Sequence, residues 1–457
     1  MAGQMQIGPD LLLLLPQLGT VATAVLALVA EMLRRPVWGR WITIGGLLVA
    51  AALGLPLIGR AETVFSGTFR VDELSTWAAL IVLPATALVV LLAAPEVGGT
   101  DREGTVYALL AFTSAGALVL AGAGDVLFLV LGVLISSLGG FALVAHWRDD
   151  RSTEAALKYF VFGSVSEAIM VFGLSYWFAA TGSTLLSDLG RLANASLPAV
   201  AGLIGLLVGL GYKAALVPLH FWAPDAYDGA PVSVAAYLSI VPKVGAIFGL
   251  AQVARDLPGA PADWRLVLAL IAAVSMTYGN LTALVQSNVV RLLAYSSIAQ
   301  AGYLLLGVLA VGHSALALPS LILFGAAYAA MNMGAFAVVA RVGRTLEAFA
   351  GFGRTSPWGG IALVVCLLSL VGVPPLAGFA GKLLLFGAAI DAGYTWLAVV
   401  AILNSVLSLG VYLRLIVPMY QEPPAARLRV GVGAVGSISL LLTIGLGLGA
   451  ELIVRAA

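Results

Sequence analysis

Residues 211–231 read GYKAALVPLHFWAPDAYDGAP, which sets a lysine, a histidine and three prolines into a chain that is otherwise strongly apolar. The flanking segments 197–210 and 232–242 carry no charged residue at all. Proline removes a backbone donor, so Pro218 and Pro224 leave carbonyls that lipid cannot satisfy. Irregular backbone at that depth must face protein or water, and Lys213 and His220 lie beside it. A second stretch repeats the pattern: VGVPPLAGFAGK, residues 371–382, places Pro374, Pro375 and Gly378 ahead of Lys382. Both stretches are read as helix breaks inside the membrane.

The rest of the sequence supports that setting. With 61% hydrophobic and 10% charged residues among 457, and a mean hydropathy of +1.05, the chain must face lipid. Apolar windows of about 20 residues, the length that crosses a bilayer, recur throughout. They fall at 10–33, 38–58, 74–94, 104–122, 125–146, 154–180, 197–222, 231–254, 264–286, 289–311, 314–341, 357–390, 393–419 and 430–453. The expectation is an all-α integral membrane protein of about fourteen transmembrane helices, with helices 7 and 12 broken. Breaks five helices apart flip their orientation, which predicts a five-helix unit repeated upside down. The divisions are 1–103 (helices 1–3), 104–254 (first repeat, helices 4–8), 264–419 (second, inverted repeat, helices 9–13) and 430–457 (helix 14). The first window runs into Arg34 and Arg35 without a small-residue cleavage site and is read as a retained helix.

Arginines set the orientation, because short cytoplasmic loops hold the excess of positive charge. With the N-terminus outside, Arg34, Arg35, Arg40, Arg102, Arg148, Arg151, Arg291, Arg341, Arg344, Arg354, Arg414, Arg427 and Arg429 fall inside. Only Arg60, Arg70, Arg191, Arg255, Arg265 and Arg455 fall outside. Both termini are therefore expected outside. Two longer connections stand out, 59–73 and 181–197. The second is expected to hold a short interfacial helix with its leucines toward lipid and Asp188 toward water.

The two basic residue types divide their labour. The nineteen arginines lie at or near predicted helix ends, whereas the four lysines, Lys158, Lys213, Lys243 and Lys382, lie within spans. An arginine keeps its proton under any realistic condition, but a lysine in an apolar site releases one more readily. That suits a relay. The bland alternative, an ammonium snorkelling to the interface, fits Lys158 best, since it is one turn into its span. Glu167 is the one acid expected near the middle of a span. It is nine residues from Lys158 on the same helix, with the two side chains leaving opposite sides about 13 Å apart. Its partner must come from another helix, or it must sit neutral. His220 is weighed as a relay group against a hydrogen-bonded packing histidine. Glu31 is read as an ion-pair partner of Arg34 and Arg35, and His146 and His313 as interfacial. Cys366, the single cysteine, is read as a small core residue, and neither a disulfide nor a cysteine-based metal centre can be built from this chain alone. No basic stripe points to nucleic acid.

The stretches EAALKYF (154–160), GYKAALVPLHFWAPDAYDGAP (211–231), PVSVAAYLSIVPK (231–243), RLLAYSSIAQAGYLLLG (291–307) and VGVPPLAGFAGK (371–382) carry a resemblance. They resemble the antiporter-like membrane subunits of respiratory complex I, specifically the NADH-quinone oxidoreductase subunit N family. That resemblance implies fourteen helices, two inverted five-helix repeats and a water-linked chain of buried charges. It matches Lys158 to the lysine modulated by a neighbouring acid, Lys213 to the one at the broken seventh helix, Lys243 to the central link and Lys382 to the terminal site. One departure is clear: the family's acid in the fifth span aligns with Leu134, and Glu167 is a candidate to supply that charge from elsewhere.

The resulting expectation is a proton-translocating membrane-arm subunit of a complex I-like quinone oxidoreductase. Lys158, Lys213, Lys243, Lys382, Glu167 and His220 form the relay, and Pro218, Pro224, Pro374, Pro375 and Gly378 mark the breaks. No cofactor is expected on this chain; quinone, flavin and iron–sulfur clusters belong to partner subunits of an energy-transducing membrane. The alternatives are a cation/proton antiporter subunit of the Mrp type or standing alone, and a structural membrane-arm subunit that has lost full proton transfer.

Overall fold

Asp72, Asp125, Asp149, Ser196, Asp263 and Asn288 each stand where an apolar run begins, and each side chain accepts a backbone N–H from the turn that follows. These caps satisfy donors that a helix start otherwise leaves open, which fixes where the spans begin. The structure, a computed structural model, describes residues 7–193, 196–257, 263–421 and 433–456. Its helices are α1 (Ile7–Leu13), α2 (Leu15–Met32), α3 (Pro36–Ala52), α4 (Glu73–Val97), α5 (Glu103–Ala121), α6 (Val126–Val144), α7 (Asp150–Thr181), α8 (Leu197–Ala214), α9 (Trp222–Gly229) and α10 (Val232–Asp256). They continue with α11 (Trp264–Ala283), α12 (Val289–Ala310), α13 (Ala317–Val342), α14 (Phe352–Thr355), α15 (Pro357–Val371), α16 (Ala377–Asp391), α17 (Thr395–Gln421), α18 (Gly433–Leu448) and α19 (Ala450–Ala456).

Among the described residues, 12 helices are long and apolar enough to cross a membrane, or 13 if α18 and α19, bent by 71°, form one span. Reaching the expected fourteen requires counting α15 and α16 as the two halves of a further, broken span. Most of the apolar windows coincide with these helices to within a few residues at each end, but window 197–222 runs on through the break past the end of α8 at Ala214, window 357–390 covers both α15 and α16, and residues 430–432 of the last window lie outside the described residues. Burial sorts them. The apolar window of α10 is 100% buried and those of α12 and α13 are 94% buried, whereas only 28% of the α7 window is buried. The centre of the molecule is therefore protein on all sides, and α7 has one face on protein and the other exposed.

Small residues bring α7 and α8 into close contact. A side chain at Gly205 would run into the backbone of Gly173, and one at Gly209 into Met170. Such glycine contacts let helix backbones approach in lipid, where no hydrophobic force holds helices together.

Several expectations are corrected. The connection 59–73 contains a hairpin, Glu62–Val64 paired antiparallel with Phe69–Val71, whose Val64, Phe69 and Val71 are buried. The 181–197 connection does hold a short helix, the 3₁₀ segment Leu186–Ala193, but Leu186 and Leu189 are fully buried against protein and do not face lipid. Pro224 does not lie in the break; it sits in the first turn of α9, where a missing N–H costs nothing. Gly378 likewise belongs to the start of α16, where a side chain would collide with the Ser369 carbonyl. Glu31 caps the start of α5 by accepting the Gly104 N–H at 3.0 Å. Arg427 and Arg429 lie outside the described residues.

Candidate functional site

The break in the first half begins where α8 ends. Ala215 takes a left-handed conformation (φ 56°), and the chain turns through residues 216–221 before α9 resumes. Within the turn, the Val217 N–H, freed from helical bonding, donates to Ser275 Oγ on α11 at 3.0 Å, and the Val217–Pro218 bond is cis. Lys213 stands in the last turn of α8 with no exposed surface. Its Nζ donates to Ser137 Oγ on α6 at 3.0 Å and to the Tyr159 hydroxyl on α7 at 3.4 Å. Tyr159 is in turn stacked on Trp222, with ring centroids 4.3 Å apart and planes 14° from parallel, and Trp222 Nε1 donates to the Tyr212 carbonyl at 2.9 Å.

Glu167 is 8% exposed on the inward stripe of α7, and its Oε1 has no hydrogen-bond partner among the described residues. Packing of Gly205 on Gly173 and of Gly209 on Met170 sets Glu167 of α7 level with Lys213 of α8, whose Nζ reaches Ser137 Oγ. Glu167 does not face Lys158.

Lys158 is the clearest departure from the expected buried path. Its side chain is 44% exposed and lies between two acids, Glu154 Oε1 at 2.7 Å and Asp225 Oδ2 at 2.9 Å. Asp225, on α9, also binds Arg291 Nη1 at 2.6 Å. Asp228, one turn on, pairs with Arg151 and accepts from Asn288 Nδ2 at 2.7 Å. These groups line an open, polar cavity of ≈ 180 Å³ at the arginine-rich end of the molecule. Lys158 therefore belongs to a charged mouth. Its reach from the first turns of α7 lets the ammonium swing out to water, as snorkelling does.

Lys243 sits at the centre of α10, 1% exposed, and donates to Ser297 Oγ on α12 at 2.7 Å. His220, in the turn of the first break, is 3% exposed and lies against the rings of Phe221 and Tyr278, 4.5 and 4.7 Å between centroids. Its Nδ1 has no partner among the described residues, and Lys243 is the cation it interacts with. His220 thus lies on the Lys243 side of the break.

The second break joins α15 to α16 through Pro374 and Pro375, whose peptide bond is cis, after Gly372 at φ 99°. Lys382, 2% exposed, donates to the carbonyls of Leu370 (2.9 Å) and Val371 (3.1 Å) and to Ser405 Oγ (3.2 Å). The Tyr303 ring centroid lies 3.9 Å from its Nζ. No carboxylate pairs with it among the described residues. Between Lys243 and Lys382 runs one face of α12. Ser297 meets Lys243, Gln300 Nε2 donates to the Leu370 carbonyl at 3.2 Å, and Tyr303 meets Lys382.

Ser137, Tyr159, Asp225, Ser297, Gln300, Tyr303 and Ser405 are the site residues that the sequence reading missed. Some signal was present. Residues 297, 300 and 303 are spaced by three, which puts them on one helix face. Ser137 and Ser405 carry no such signature, because hydroxyls are common in membrane helices. Among the described residues, no group of three or more His, Cys, Asp or Glu side chains could hold a metal ion.

Residues 123–408 match the family described as NADH:quinone oxidoreductase/Mrp antiporter, TM. The chain is 38% identical over 423 residues to NADH-quinone oxidoreductase subunit N of Mycobacterium sp. (strain JLS), covering 90% of this chain and 89% of that one. It is 36% identical over 448 residues to F(420)H(2) dehydrogenase subunit N of Methanosarcina mazei, covering 92% and 90%. A chain of respiratory complex I from Thermus thermophilus superposes with a TM-score of 0.82 at 34% identity, over 95% of this chain and 98% of that one. The Mrp complex of a Dietzia species shares the fold, with a TM-score of 0.83 at 22% identity over 98% and 96%. Matched across nearly its whole length by N subunits at more than a third identity, the chain belongs to the NADH-quinone oxidoreductase subunit N family.

Proposed function

We propose that this chain is a proton-translocating membrane-arm subunit of a complex I-like quinone oxidoreductase. It works beside other membrane-arm subunits, which with their partners hold the quinone, flavin and iron–sulfur chemistry. One observation carries the reading: Lys213, Lys243 and Lys382 are 0, 1 and 2% exposed, on three different helices, and each is met by hydroxyl, carbonyl or aromatic groups. A charge at that depth costs at least ~2.5 kcal/mol even on lenient scales, so three of them point to transport.

In this reading the lysines exchange protons along Lys213, His220, Lys243 and Lys382, with water bridging the gaps between hydrogen-bonded groups. Each proton shifts the balance of the next site through its charge. The cavity at Lys158, Asp225 and Arg291 supplies water-accessible polar groups at the arginine-rich end. That end faces the cytoplasm, which puts both termini outside. The breaks at residues 215–221 and 372–376 are the corresponding points of two inverted five-helix repeats, 104–254 and 264–419. Supporting this, in each the helix ends at a left-handed residue, Ala215 or Gly372, and resumes after a proline-bearing turn.

The reading is tested in inverted membrane vesicles carrying the assembled complex. Lys213→Met and Lys382→Met should each lower the proton-to-electron stoichiometry while the complex still assembles; unchanged stoichiometry in both would sink it. Reporter fusions at residues 34 and 344 on one hand and at the C-terminus on the other test the orientation, and should report opposite sides.

A further inference from the structure

We propose that Glu167 is the acid that controls the charge of Lys213, and that it acts from α7 with Ser137 as the neighbour both groups share. This rests on Lys213 being a proton carrier, as above, and assigns the partner through which it works.

Helix register brings the two together. α7 and α8 run antiparallel with Gly173 against Gly205 and Met170 against Gly209. Three residues back along α7 from Met170 is Glu167, and four residues on along α8 from Gly209 is Lys213. The contacts that lock the helices at their glycines therefore hold carboxylate and ammonium at one level. Glu167 also lies on the stripe of α7 that is buried, with Tyr159, Gly163, Ser166, Met170 and Gly173, on a helix whose other faces are largely exposed.

The chemistry of the pocket requires an acid there. Lys213 is fully buried, and its hydrogen-bond acceptors are the hydroxyls of Ser137 and Tyr159. Two hydroxyls do not repay the desolvation of an ammonium, whereas a carboxylate makes the pair neutral overall. Glu167 shows the complementary need: buried, with an unpartnered oxygen and no arginine on it. The other polar groups around the pair are the hydroxyls of Tyr159, which accepts from Lys213, and Tyr212, which donates to the Tyr159 carbonyl, and neither supplies a carboxylate. From α6, Leu134 contributes only apolar packing one turn from Ser137. The acid is thus supplied by the next helix in the chain. Lys213 keeps its proton while the ionised carboxylate stands beside it, and gives it up toward His220 and Lys243 when that charge is neutralised. Among the described residues Lys382 has no such partner, so the two breaks are not interchangeable.

The test uses the assembled complex, with subunit content and uncoupled quinone reductase activity as the assembly check. Glu167→Gln, nearly isosteric, should lower the pumping rate about tenfold, because it removes the charge beside the ammonium. Glu167→Asp, which keeps the charge, should retain most pumping. Placing the acid on the shared neighbour, Glu167→Gln with Ser137→Asp, should restore most of what Glu167→Gln removes, which a merely structural role for Glu167 would not allow. Glu167→Gln combined with Lys213→Met should be no worse than Lys213→Met alone. Unchanged pumping in Glu167→Gln, or losses that multiply in the double variant with no rescue by Ser137→Asp, would overturn the assignment. A Lys213→Met complex that pumps normally would instead overturn the role of Lys213 itself.

Discussion

Lys213 and Lys382 each stand beside a helix break, yet different chemistry holds them. Lys382 binds two carbonyls from the last turn of α15, the end where a helix carries partial negative charge, and lies over the face of Tyr303. A desolvated cation–π contact is worth about 2 kcal/mol, so Tyr303→Leu should slow pumping by more than tenfold without loss of assembly, read as vesicle acidification rate at equal quinone reduction. Lys158, by contrast, is an exposed member of an ion-pair cluster, and exposed pairs contribute ~0–1 kcal/mol. Lys158→Met should therefore reduce pumping much less than Lys213→Met in the same assay; equal losses would return Lys158 to the buried path. His146, half-buried just past α6, offers a pH handle. Burial, and then Arg102, hold its imidazole below the usual value of 6.5. The folded state thus favours the neutral ring, and its contribution is whole above pH 6.5 and declines as pH falls through that value. Between pH 7.5 and 5.5 the His146→Gln complex should lose less thermal stability than wild type.

Among the helices, apolar runs made most boundaries readable, and the structure adds why several begin where they do: Asp, Ser or Asn there satisfies the open N–H groups of the first turn. The hairpin at Glu62–Val64 and Phe69–Val71 was not readable. Three residues per strand are too few for an alternation to stand out, and its pairing partner is defined only once Val64, Phe69 and Val71 are buried together. The same holds for the buried leucines of Leu186–Ala193, whose amphipathic pattern fits lipid and protein equally well. Packing of α7 on α8 is the most sensitive joint. Gly205→Leu forces the helices apart at the Gly173 contact and should cost about 1–3 kcal/mol of stability, with a drop in melting temperature and a loss of pumping together, because Lys213 and Glu167 separate.

Across the whole molecule, charge ties the halves together at the arginine-rich end. Asp228 on α9 pairs with Arg151 of α7 and binds Asn288 at the start of α12, while Arg344, beyond α13, donates to the carbonyls of Asp228 (2.5 Å) and Ala230 (2.7 Å). Asp228→Ala should lower stability by about 2 kcal/mol, the scale of a hydrogen bond to a charged group, measured as the melting temperature of the detergent-solubilised complex. The sequence alone determined the membrane setting, the number of apolar windows, both breaks and the placing of every lysine inside a span. All of these follow from the cost of exposing polar groups to lipid, which acts on each segment independently. Only the tertiary structure decided which charges meet. Lys158 and Lys213 are both lysines in apolar helices; the sequence marks Lys158 as the one nearer its helix end but names no partner for either. The register of α7 against α8 turned Glu167 to Lys213, and the reach of α9 gave Lys158 to Asp225. Such pairings depend on how distant helices are placed, and that is set by the sum of many small packing contacts with no pattern of its own in the chain.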